Sequence, residues 1–102
     1  MITRKQKYDM IHDNLIEKYH SIIYELNDSN LKLDIFNKFF KFICDNIYYI
    51  QKYNNIIYNN LIIYINYAIN LLTKNKIVLQ KNKNFAILYS NLFYLKNKMN
   101  LD

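Results

Sequence analysis

Apolar side chains recur every three or four positions along most of the chain. Tyr8, Ile11, Leu15, Tyr19, Ile22 and Leu26 form one such series, which on a 3.6-residue period is a single helical stripe. Thr3-Arg4-Lys5-Gln6 ahead of it has the T-x-x-Q form of a capping box, and Asn27-Asp28-Ser29-Asn30 behind it collects turn and N-cap residue types. The pattern predicts a helix over 4–26.

A second helix follows over 31–53. Leu33, Phe36, Phe40, Ile43, Ile47 and Ile50 make one stripe, and Ile35, Phe39, Phe42, Tyr49 and Tyr53 make another beside it. Two adjacent stripes predict burial over a wide arc, with Phe36, Phe39, Phe40 and Phe42 in the core and not on a cofactor. Beyond Ile50 the period runs on in phase through Asn54, Ile57, Leu61, Tyr64 and Ala68, so the second and third segments could be one continuous helix. That helix would reach roughly 40 residues against a usual 11–12. The Asn54-Asn55 pair is therefore placed as a break, with a third helix over 56–73.

Residues 53–73, YNNIIYNNLIIYINYAINLLT, contain no charge and are bracketed by Lys52 and Lys74. Wound at about 100° per residue, Asn55, Asn59, Asn66 and Asn70 fall within an arc of about 60°. Ile57, Leu61, Tyr64, Ile65, Ala68 and Leu72 fall opposite them. The length suits a membrane span, which needs about 20 residues. A lipid-facing helix would also have to hide six asparagines, counting Asn54 and Asn60, so a bundle helix with an amide face is the preferred expectation over a membrane-spanning one. The amide face is expected to be solvated or to meet a protein neighbour.

Lys74-Asn75-Lys76 and Lys81-Asn82-Lys83-Asn84 flank Ile77-Val78-Leu79-Gln80, which reads as a connection carrying a short apolar plug. Asn84 can cap a last helix over 85–99, striped by Phe85, Leu88, Leu92, Leu95 and Met99 with Tyr89 and Phe93 beside them. The N-terminus carries charge without an apolar run behind it, so no signal peptide is read. The expected architecture is an all-α, single-domain bundle of three to four amphipathic helices over 1–102.

Composition supports that class. There is neither Gly nor Pro among the 102 residues, and the tightest hairpin turns depend on Gly at positive φ. Asn tolerates the left-handed region and can serve helix connections instead. Phe, Tyr, Ile, Lys and Asn supply 64 of the 102 residues, all with A or T in the first two codon positions, which points to an AT-rich coding sequence. Abundance of lysine or asparagine is thus weak grounds for function, and position is better.

The position of charge is uneven. Residues 1–45 hold seven basic and seven acidic side chains, whereas residues 46–101 hold seven lysines and no acid. Codon bias explains the lysines but not the missing acids. Lys74, Lys76, Lys81 and Lys83 cluster, with Lys96 and Lys98 near the end of the last helix, and the net charge is +6. Such a one-sided field suits RNA or another polyanion, and lysine without arginine suits backbone contact over base readout.

Catalytic signatures are missing: no phosphate loop, Gly-rich turn or triad pattern is present. Asp13, Glu17 and His20 share a helical face, as do Asp9 and His12, but acid–His mixtures on a polar face are ordinarily solvated, and no metal is assigned. Cys44 is the one cysteine; it is expected to be a small buried hydrophobe in a reducing, intracellular compartment. The sequence therefore suggests a non-enzymatic accessory subunit of a larger assembly, ribonucleoprotein among them, with protein partners and no cofactor or small-molecule substrate. A free-standing helical antagonist or immunity-type protein is the alternative, and a membrane-complex subunit spanning with 53–73 is a further one.

Overall fold

Five helices and no strand make up the described residues of this computed structural model, which comprise the backbone of 4–28 and 30–101 and side chains from His12 to Met99 apart from Ser29. They are α1 (Arg4–Asn27), α2 (Leu33–Tyr53), α3 (Asn55–Lys74), the single-turn α4 (Lys76–Leu79) and α5 (Phe85–Leu101). Thr3 of the capping box, and the side chains of Tyr8, Asp9 and Ile11, lie outside the described residues.

The helices run up, down, up and down. α2 is central and packs against α1, α3 and α5, while α3 and α5 pack against each other. The thinnest dimension of the molecule is 19 Å, close to two helix diameters, so the bundle has two layers. α2 can be central because its buried arc spans parts of both stripes, with Phe36, Ile43, Ile47 and Ile50 on one and Phe39 and Phe42 on the other, whereas Ile35 and Tyr49 of the second stripe are half-buried and Tyr53 at its end is exposed. Phe40 is only half-buried, at the edge of that arc. α3 contributes Ile57, Leu61, Ile65, Ala68 and Leu72, and α5 contributes Phe85, Leu88, Leu92, Leu95 and Met99, as the periodicity predicts. Among the described residues no buried side-chain nitrogen or oxygen lacks a hydrogen-bond partner.

The break between α2 and α3 takes one residue. Asn54 leaves the helical region at φ −148°, ψ 85°, and its Oδ1 accepts from the Ile57 amide at 3.0 Å. It is thus the N-cap of α3, whose first residue, Asn55, lies one before the expected start. Asn60, outside the amide arc, is half-buried and hydrogen-bonds the Tyr19 phenol across to α1.

α2 starts later than the expected 31. Asn30 and Leu31 hold φ values of 49° and 65°, the left-handed region. A chain without Gly must use other residues there, and a leucine in that region costs about 1–2 kcal/mol. Lys32 then stands at the N-cap without a side-chain cap bond, and Asp34 in the first turn complements the helix dipole.

Cys44 corrects a sequence expectation. It is exposed, not a buried hydrophobe. On a helical projection it sits roughly 100° from Ile43 and well away from the middle of the buried arc. Burial of part of the side chain and the Asp45 carboxylate push its thiol up, and Lys98 pulls it down.

Candidate interaction site

The amide arc of α3 lies on the outside of the bundle. Asn55, Asn59 and Asn70 are exposed and Asn66 is half-buried. They are interleaved with apolar side chains that also face out: Ile56 is 76% exposed and Ile63 62%. The reason is geometric. The helix turns Leu61, Ile65, Ala68 and Leu72 into the core, so residues near the middle of the opposite face cannot reach it. No charge occurs on α3 before Lys74.

This uncharged face continues onto α5. The Thr73 hydroxyl is hydrogen-bonded to the Tyr89 hydroxyl, and it also donates to the Ile69 carbonyl at 2.7 Å. Tyr89 stacks on Phe85 at 5.2 Å and meets Phe93 edge to face at 4.9 Å. The result is a row of rings along one edge of α5, of which Phe93 is exposed.

The lysines expected to act together divide into two groups. Lys74, Lys76, Lys81 and Lys83 are all exposed around α4, at the end of the bundle where α1 also meets α2. Lys96 and Lys98 are half-buried near the opposite end, about 17 Å further along α5. There the Tyr58 hydroxyl donates to the Met99 carbonyl at 3.2 Å, tying the start of α3 to the end of α5. Lys98 lies over the Tyr48 ring, with Nζ 5.4 Å from its centroid, so part of its charge is engaged by α2.

Around α4 the expected apolar plug is not a plug. Leu79 packs against the core, but Ile77 is 79% exposed and Val78 68%. A single helical turn can send only one of three consecutive side chains inward. The turn is nonetheless firmly built: the Leu79 amide donates to the Asn75 carbonyl at 2.9 Å and the Gln80 amide to the Lys76 carbonyl at 2.8 Å. Asn75 Nδ2 donates to the Leu71 carbonyl at 2.8 Å on one side, and the Asn84 amide to Asn82 Oδ1 at 2.9 Å on the other. A groove of about 570 Å³ separates this turn from the α1–α2 connection, lined by Leu31, Lys32, Asp34, Val78, Leu79 and Lys81.

A shallow groove between α1 and α2, not foreseen from the sequence, is lined by Asn14, Leu15, Lys18, Asn46 and Tyr49 and measures about 380 Å³. Its residues sit between the two helices' core stripes, a placement that only the docking of α1 on α2 creates. Beside it His12 lies 3.5 Å from both the Tyr49 hydroxyl and Asn54 Nδ2. Lys38 and Glu25 form the one ion pair among the described residues, at 3.6 Å and exposed, so it contributes little. Among the described residues no three of His, Cys, Asp and Glu gather at one place.

No family model matches the sequence, and neither the curated proteins nor the solved structures contain a match.

Proposed function

We propose that the protein is a small non-enzymatic interaction subunit of a larger assembly, docked to a protein neighbour through the outer face of α3. The observation that carries this is the charge-free face itself, with Ile56 and Ile63 standing out among Asn55, Asn59, Asn66 and Asn70. Ordinary soluble surfaces are about 25–35% charged. Interface cores are depleted of charge and enriched in rings, which Tyr89 and Phe93 supply at the edge. Solubilising drift would not remove every charge from one helix while lysines stand at its end. A membrane span by α3 would require withdrawing Leu61, Ile65, Ala68 and Leu72, each fully buried, from the bundle; docking from outside leaves them in place.

The lysine-rich end provides a second contact, with a polyanionic surface. Four exposed lysines on one connection, with no acid between residues 46 and 101, keep an unneutralised positive field there.

The test substitutes Asn59→Lys and Ile63→Lys together and follows co-purification with the native assembly beside thermal unfolding. Loss of the assembly with an unchanged melting temperature is the expected result. Unchanged co-purification would place the docking surface elsewhere.

A further inference from the structure

We propose that the α3–α5 connection anchors the protein on an anionic lipid bilayer, with Ile77 and Val78 inserted among the headgroups and Lys74, Lys76, Lys81 and Lys83 on the phosphates. The inference rests on the reading of this lysine cluster as a polyanion contact and names the polyanion.

The argument turns on what stands at the centre of the charge. Single exposed apolar residues are normal on protein surfaces. Here two adjacent β-branched residues project from the tip of the bundle, at 79% and 68% exposure, with two lysines before and two after them in sequence. Leu79 pins the turn to the core, and its backbone bonds hold the turn in shape without any ligand. The aliphatic pair is therefore displayed in advance of binding.

A nucleic acid would make poor use of this tip. Binding of single strands relies on rings that stack with bases, and residues 74–84 contain no aromatic side chain and no arginine. Ile77 and Val78 would face a sugar–phosphate backbone and gain nothing. An anionic bilayer rewards both parts: apolar side chains enter the headgroup–acyl boundary, and lysines are drawn to the negative leaflet surface. The nearby acids are Asp34, on the rim of the groove with Lys32 and Lys81, and Asp28 and Glu25 at the end of α1, the last of which pairs with Lys38. Three acids against six lysines leave this end positive. Insertion of two side chains gives only weak, reversible attachment.

The experiment uses the full chain and vesicles of phosphatidylcholine with and without phosphatidylserine. Flotation should show binding to the anionic vesicles alone, falling steeply with salt. Replacing the four lysines with Gln should weaken it by about fivefold per lysine. I77S/V78S keeps every charge and should weaken it about tenfold or more. The chain has no Trp, so V78W is a unique reporter whose emission should shift to the blue on anionic vesicles. All these side chains are exposed, so melting temperatures should hold in every variant. Vesicle binding indifferent to I77S/V78S, or V78W emission that does not shift, would overturn the insertion. Lysine-dependent binding to a labelled single-stranded RNA, without vesicle binding, would overturn the bilayer assignment and leave the polyanion contact standing. Binding to neither at low salt would overturn both.

Discussion

Asn54→Ala should lower stability by about 1 kcal/mol, within the 0.5–2 kcal/mol range of lost N-caps. The bond at stake is the 3.0 Å acceptance from the Ile57 amide, which satisfies one of the orphan donors at the start of α3. The second contact of Asn54, 3.5 Å to His12, is at the outer limit of hydrogen-bond geometry and adds little. Asn54 sits at φ −148°, outside the helical region, so the better helix propensity of alanine gives no compensation there. For a domain of this size 1 kcal/mol corresponds to a melting temperature roughly 4–8 °C lower. Asn55→Ala is the control. Asn55 is the first residue of α3 and its side chain is exposed, so that change should cost under about 0.5 kcal/mol. Thermal unfolding followed by circular dichroism compares the two. Equal effects, or a rise in helicity and melting temperature for Asn54→Ala, would refute the reasoning and show that the period running through Asn54 favours one continuous helix.

Leu61 is fully buried on α3 and Ile63 exposed on the same helix; in urea unfolding Leu61→Ala should cost about 2–5 kcal/mol, and Ile63→Ala under about 0.5 kcal/mol. Cys44 should alkylate more slowly than free cysteine at about pH 8, because partial burial and Asp45 disfavour its thiolate. Asp45→Asn should speed that reaction and Lys98→Gln slow it, read by iodoacetamide kinetics. Burial pushes the Tyr19 phenol up, while the Asn60 bond pulls it down. The fold then favours the neutral phenol: this stabilisation is whole below the ordinary value of 10.0 and lost as pH rises through the raised one. Tyr19→Phe should remove that part of the alkaline decline in stability.

The four long helices were legible because one signal, apolar spacing of three and four, marks each of them. Leu88, Leu92, Leu95 and Met99 are buried for the reason their spacing suggests. The Asn54 break was legible only from helix length and residue type, since the apolar period passes through it without a phase change. Cys44 was misplaced because it neighbours Ile43 in sequence, and helical geometry separates neighbours by about 100°. The asparagines divide by the same geometry. Those in the arc stay at the surface, whereas Asn54 and Asn60 were taken for further polar cost and instead cap a helix and bond Tyr19. Ile77 and Val78 read as buried because apolar runs usually are; a single turn anchored by Leu79 has no inward side left for them. The separation of Lys96 and Lys98 from the other four lysines follows from the direction of α5, which charge counting along the chain does not show.

The central claim is that the outer face of α3 is covered by a protein in the native assembly. A photo-crosslinking residue placed at Ile63, with Tyr24 on the far side of α1 as the control position, tests it within the native assembly. The account predicts a discrete protein adduct from position 63 and none from position 24. Adducts of equal yield from both positions, or none from position 63, would contradict it.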